Sequence, residues 1–103
     1  MDWREKRSRI RDDVADAFSE RTGITRVDFL EIFYDAETPP PIGDFSAQYI
    51  ADEEALGQIF SALASSTGLT HERVDDHYHP EESFPQFAEH LLRAGAYGGA
   101  ADE

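Results

Sequence analysis

The sequence predicts an α+β fold: a single small domain of element order α-β-β-α-β-α, with a three-stranded antiparallel sheet and helices packed on it. Three observations lead there. Three stretches repeat apolar residues at helical spacing, and three others are either continuously apolar or alternate with period two. A chain of 103 residues also has the length of one domain with one core. That domain is expected to occupy residues 1–95, with residues 96–103 as a flexible tail.

Trp3, Ile10, Val14, Ala17 and Phe18 lie at helical spacing, and Thr22-Gly23 offers a left-handed stop, so residues 3–21 form the first helix. Val27, Phe29, Leu30, Ile32, Phe33 and Tyr34 are β-branched, aromatic or large and nearly continuous, which predicts a strand buried on both faces. Three prolines, Pro39 to Pro41, hold the next segment extended as a loop. Phe45, Ala47, Tyr49 and Ala51 then alternate with Ser46, Gln48, Ile50 and Asp52, the pattern of a second strand.

Asp52 is placed to cap a helix over residues 53–66, with Glu53 and Glu54 in its first turn and Leu56, Ile59, Phe60 and Leu63 in one stripe. Residues 73–79 alternate again and predict a third, more polar strand. Ser83 and Gln86 make a capping box for a last helix over residues 83–94. A short loop joins strands one and two and a helical crossover joins strands two and three. With the most apolar strand central, the strand order becomes 2-1-3. The third strand is then an edge that its charges protect from pairing.

Charge is the loudest compositional signal. Twenty-two acidic residues face nine basic ones, for a net charge of −13, and cysteine is absent. No thiolate metal site, disulfide or thiol nucleophile exists. No Lys or Arg occurs between Arg26 and Arg73. Such a surface repels phosphate, so nucleic acid is not the expected partner. Acidity with arginine preferred over lysine resembles the proteins of salt-loving archaea, where screening shortens to roughly 3 Å at 1 M salt. The sequence thus points to a halophilic host. The charged start carries no apolar signal region and no apolar run is long enough to span a bilayer, so the chain is expected to be cytoplasmic, with no membrane partner.

The first eleven residues reverse the overall sign, with Arg4, Lys6, Arg7, Arg9 and Arg11 against Asp2 and Glu5. This cluster either meets an acidic partner or lies over the protein's own acidic body, and the second reading is favoured. Residues 17–25 line up with residues 62–70, each ending Thr-Gly-aliphatic-Thr. Either both are helix ends with the same cap, or each opens a helix-turn-helix. Ala64, Gly68 and Val74 resemble that motif in spacing, but the would-be recognition segment, residues 71–78, carries three acids against Arg73 alone.

His77 and His79 on a strand would share a face with Asp75, a conceivable divalent-metal site. A solvated edge strand explains them equally well and is preferred, so no metal and no cofactor are expected. Glu31 interrupts the apolar central strand, where a carboxylate would be desolvated. An open face or an arginine from the first helix would relieve it, and no catalytic constellation accompanies it.

The reading is therefore of a non-enzymatic regulatory protein that works through contacts with another protein or with a second copy of itself. Arg7, Arg9, Arg11, Tyr34, Tyr49 and Tyr78 are the candidate contact residues. The alternatives are a helix-turn-helix transcriptional regulator, an acidic mimic that inhibits a nucleic-acid-binding protein, and a small metal-dependent enzyme.

Overall fold

The computed structural model describes residues 2–98, and within them the chain is helical with no strand. Six helices follow in order: α1 Trp3–Glu20, α2 Arg26–Phe29, α3 Ile42–Tyr49, α4 Glu53–Thr67, α5 His71–Asp76 and α6 Phe84–Arg93. A π-helical turn, Leu30–Tyr34, continues α2, and a 3₁₀ turn, Ala96–Gly98, follows α6. The α+β expectation is overturned. Each segment read as a strand is wholly or mostly helix, and the three-stranded sheet of order 2-1-3 does not exist among the described residues.

The physical reason differs at each site. In residues 27–34 a nearly continuous apolar run has no readable period. Its buried members are Phe29, Leu30 and Phe33, a helical face, while Val27 and Ile32 are 62% and 48% exposed. Thr25 caps this helix through its hydroxyl, which accepts from the Asp28 amide at 3.1 Å.

The apparent alternation in residues 45–51 is coincidental. Ala47 and Ala51 are exposed, and the core-facing residues are Ile42 and Phe45, with Tyr49 packed against them at i+7. Pro41 takes the extended N-cap conformation but has no side chain to offer as a cap. Backbone carbonyls do that work instead. Ile42 N–H donates to Glu82 O at 2.7 Å and Gly43 N–H to Pro80 O at 2.9 Å. Gly43 suits that approach, because a Cβ there would stand a tight 3.3 Å from the Pro80 oxygen.

In residues 71–76 only Val74 is buried. Thr70 caps α5 with its hydroxyl on the Arg73 amide at 3.1 Å, the same device as Thr25. The repeat at residues 17–25 and 62–70 therefore has a structural meaning. In both copies a helix ends, glycine takes positive φ (Gly23 +85°, Gly68 +81°), and a threonine caps the next helix.

The helices expected at residues 3–21, 53–66 and 83–94 lie within a residue of α1, α4 and α6. Their signals were caps as well as periodicity. Asp2 and Glu5 form a capping box on α1, Asp52 accepts from Ala55 N–H, and Gln86 reaches back to the Ser83 amide. Of the tail expected at residues 96–103, Ala96 is buried and residues 99–103 lie outside the described residues.

α1 packs against both α4 and α6. The core gathers on Phe18 of α1, whose ring meets Phe84 at 4.8 Å, Phe45 at 5.8 Å and Phe87 at 6.3 Å, all edge-on, and lies parallel to Phe29 at 6.1 Å. Phe84 in turn meets Phe29, Phe33 and Phe45. Truncating Phe84 to alanine is expected to cost about 3–5 kcal/mol, whereas Val27→Ala should change stability by less than about 0.5 kcal/mol. Urea titration of both variants checks this, and a large loss at Val27 would restore the buried-strand reading.

Candidate functional site

The fold opens two clefts, and three of the candidate contact residues, Arg7, Arg11 and Tyr34, meet at the first. The first, of about 430 Å³, lies between α1 and α6 and is closed by the π-helical turn. Arg7 and Arg11 come from successive turns of α1, and Tyr34 ends the π turn. Each arginine is held in a two-pronged ion pair. Arg7 donates from Nε and Nη2 to Glu89 at 3.2 and 3.0 Å, and Arg11 donates from the same two atoms to Asp35. The Arg7 contact holds the Glu89 carboxyl below its ordinary range, and burial pushes the Tyr34 phenol up to about 12.

The other contact candidates serve elsewhere. Arg9 lies over the Tyr97 ring at 5.3 Å, and the Tyr97 hydroxyl donates to Asp13, which holds Tyr97 in its left-handed conformation at φ 61°. Tyr49 stacks on Phe45 at 4.9 Å at the core's edge. Tyr78 packs against Phe60 and Phe87, its hydroxyl hydrogen-bonded to Ser46, and burial raises its pKa.

The basic start of α1 folds onto the protein's own acids. Besides the Arg7 and Arg11 pairs, Lys6 is buried with its ammonium over Trp3 at 5.4 Å. Further along, Arg26 joins Asp12 and Asp16. Glu31, expected to be desolvated in a strand, is exposed on its helix.

The second cleft runs between α4 and α5. Glu53, Leu56, Phe60 and Asp75 line one part, and Arg21, Glu54, Gln58 and Ser61 line an adjoining part of about 680 Å³. Gly57 and His71 are common to both. Sequence reading missed Gly57, although a glycine inside an otherwise strong helix was a visible signal.

The candidate metal residues separate. Asp75 sits in the α4–α5 cleft, while His77 and His79 follow α5 and approach His90 of α6, with ring centres 5.9 and 6.0 Å away. His90 Nε2 is 2.9 Å from Glu82 Oε1. Glu82 follows these residues in the sequence, but His90 could not be placed beside them from sequence, because only the turn between α5 and α6 brings it there. Among the described residues no three His, Asp or Glu side chains are grouped to hold a metal ion, and no helix is long and apolar enough to cross a membrane.

Burial, and then the neighbouring His90, lower the His77 pKa from its ordinary 6.5, with smaller effects from Asp76, His79 and Arg73. The folded protein thus binds fewer protons at His77 than the unfolded chain does. The associated stability is present above pH 6.5 and is lost as pH falls below it. Glu89, depressed from an ordinary 4.5, loses its contribution only at lower pH. The thermal midpoint should therefore fall between pH 7 and pH 5 by more in the native chain than in His77→Gln, and equal slopes would refute the assignment. No protein-family model, curated protein or solved structure matches this chain.

Proposed function

We propose that this chain is a non-enzymatic interaction protein that docks a basic segment of another polypeptide in the α4–α5 cleft. The observation that carries the reading is Gly57. Every other glycine among the described residues has either a positive φ or, at Gly43, a close neighbour that would crowd a Cβ. Gly57 has neither. It sits inside a fifteen-residue helix with nothing within 4 Å of where a Cβ would stand. Glycine there costs about 0.5–1 kcal/mol relative to alanine, and intramolecular packing does not ask for it. A partner's close approach gives that cost a purpose.

Charge supports the choice of partner. Glu53, Glu54, Glu72, Asp75 and Asp76 are exposed on α4 and α5 and make no ion pair among the described residues. Of the nearby arginines, Arg73 on α5 is turned to the Ala94 carbonyl and Arg21 at the cleft edge pairs with Glu20, so neither is bound to these acids. A cationic segment gains from this surface both attraction and orientation.

A second reading has its own observation. α4, the Gly68 turn and the Thr70-capped α5 have the helix-turn-helix order, which would make α5 a recognition helix. Its exposed Glu72, Asp75 and Asp76 oppose a phosphate-lined groove. The two readings respond differently to measurement. Gly57→Ala should raise stability by about 0.5–1 kcal/mol, and Gly57→Leu should remain folded yet abolish docking. With a lysine-rich amphipathic peptide as probe, amide shifts in NMR should cluster on residues 53–62 and 71–75 and vanish in Gly57→Leu. Shifts scattered over the whole acidic surface, or insensitive to Gly57→Leu, would sink the docking site. For the second reading, duplex DNA should bind with a steep inverse salt dependence that Arg73→Ala weakens, and no retention at low salt would dismiss it.

A further inference from the structure

The α1–α6 cleft carries features that neither packing nor the docking surface uses. Its floor is apolar, formed by Ile10, Ala88 and Leu92, and Tyr34 and Pro85 stand at its walls. The Tyr34 hydroxyl has no hydrogen-bond partner among the described residues, in contrast to the hydroxyls of Tyr78 and Tyr97.

The guanidiniums at the rim are incompletely used as well. A guanidinium has five N–H donors, and the Glu89 pair engages Arg7 only through Nε and Nη2. Its Nη1 edge makes no contact with a carboxylate. Arg11 stands one turn along the same helix, and its charge is felt at the Tyr34 phenol.

A third feature is the backbone that builds the wall. Asp35 N–H bonds to Leu30 O at 2.6 Å, the five-residue span of a π turn. Such turns account for well under 1% of residues and concentrate at functional sites. This one carries both Tyr34, which forms the wall, and Asp35, which holds Arg11 at the rim. The wider turn therefore fixes two parts of the cleft at once.

Electrostatics decide what fits. On a chain of net charge −13 an anion is repelled almost everywhere. Around this cleft Arg7, Arg11 and Arg93 stand beside Glu89, Asp35 and Asp12, so the carboxylate excess is cancelled. We propose that the α1–α6 cleft binds a small apolar carboxylate. Its alkyl or aryl body lies along Tyr34 and Pro85, and its head accepts from the free edge of Arg7 and from the Tyr34 hydroxyl. Apolar area and two directed donors are the usual makeup of a small-ligand site.

The chain supplies its own reporter. Trp3 is the sole tryptophan, and the Arg7 guanidinium lies over its ring at 5.5 Å, so a ligand that engages Arg7 alters Trp3 emission. Titration of the full chain with octanoate and with 3-phenylpropionate, read by Trp3 fluorescence and by calorimetry, should give saturable one-to-one binding. The neutral analogue octanol should bind at least about tenfold more weakly, since charge-assisted bonds to the head are missing. Tyr34→Phe should weaken octanoate about five- to tenfold by removing one hydroxyl donor. Ser8→Phe fills the rim from an exposed position of α1 and should abolish binding while circular dichroism stays helical. Octanol binding as well as octanoate, an unchanged isotherm in folded Ser8→Phe, or no saturable signal in either measurement would each overturn the proposal.

Discussion

The whole architecture depends on the contact between Phe18 and Phe84. Through these two rings α1 and α6 are joined to each other and to Phe29, Phe33 and Phe45 on α2, its π extension and α3. Most of the pairs meet edge-on, the arrangement that the ring quadrupole favours, and each adds about 0.5–1.5 kcal/mol beyond its buried area. The consequence reaches local structure. α2, α3 and α5 have four, eight and six residues, too few for a helix to persist alone in water. Two of them owe their form to this aromatic cluster and to their caps. α5 depends on Val74, which is buried against the core, and on the Thr70 hydroxyl.

Charge is organised around that core by pairing what is scarce. Arg7, Arg11 and Arg26 each clamp carboxylates from a different part of the chain, linking α1 to α6, to the end of the π turn, and to α2. Exposed pairs of this kind contribute little to stability individually. Their larger effect is on the surface that remains. By engaging most of the cations, they leave the exposed carboxylates of α4 and α5 without ion pairs among the described residues, and they leave the α1–α6 cleft close to neutral. A single distribution of arginines thus separates a face suited to a cationic partner from a cleft able to admit an anion.

How much of this was legible in the sequence depended on whether a local signal had a competitor. α1, α4 and α6 announced themselves twice, by periodicity and by Asp2, Asp52 and Ser83 at their starts, and both signals agree with the fold. The remaining helices were obscured because short apolar runs do not distinguish a helix from a strand. Phe29, Leu30 and Phe33 read equally well as a buried strand, and only the exposure of Val27 and Ile32 decides between them. The decisive local clue was present, since Thr25 and Thr70 occupy the same place after Gly23 and Gly68. It was read either as a repeated helix end or as the first half of a helix-turn-helix; in the structure it marks two places where a helix ends at a left-handed glycine and a threonine caps the next helix. At the sites, Arg7, Arg11 and Tyr34 were singled out separately and the fold brings them to one cleft. His90 beside His77 follows from the path of the chain between α5 and α6, which no residue pattern encodes.

The two clefts illustrate opposite ways of leaving a mark on a helix. At Gly57 the mark is a missing side chain: the helix gives up intrinsic propensity so that its backbone stays open, and nothing inside the molecule fills the space. At Leu30–Tyr34 the mark is a widened turn, which places Tyr34 and Asp35 where a regular helix would set them differently. Gly57 does nothing for the Phe18 cluster, which an alanine in α4 would serve as well, whereas the π turn also carries Phe33 into contact with Phe29, Phe45 and Phe84. Departures from local preference that the core does not need belong to the surface that meets something else. Both lie on elements anchored to α1, either directly, as α4 is, or through the Arg11–Asp35 pair, so each opening is held by the longest helix among the described residues.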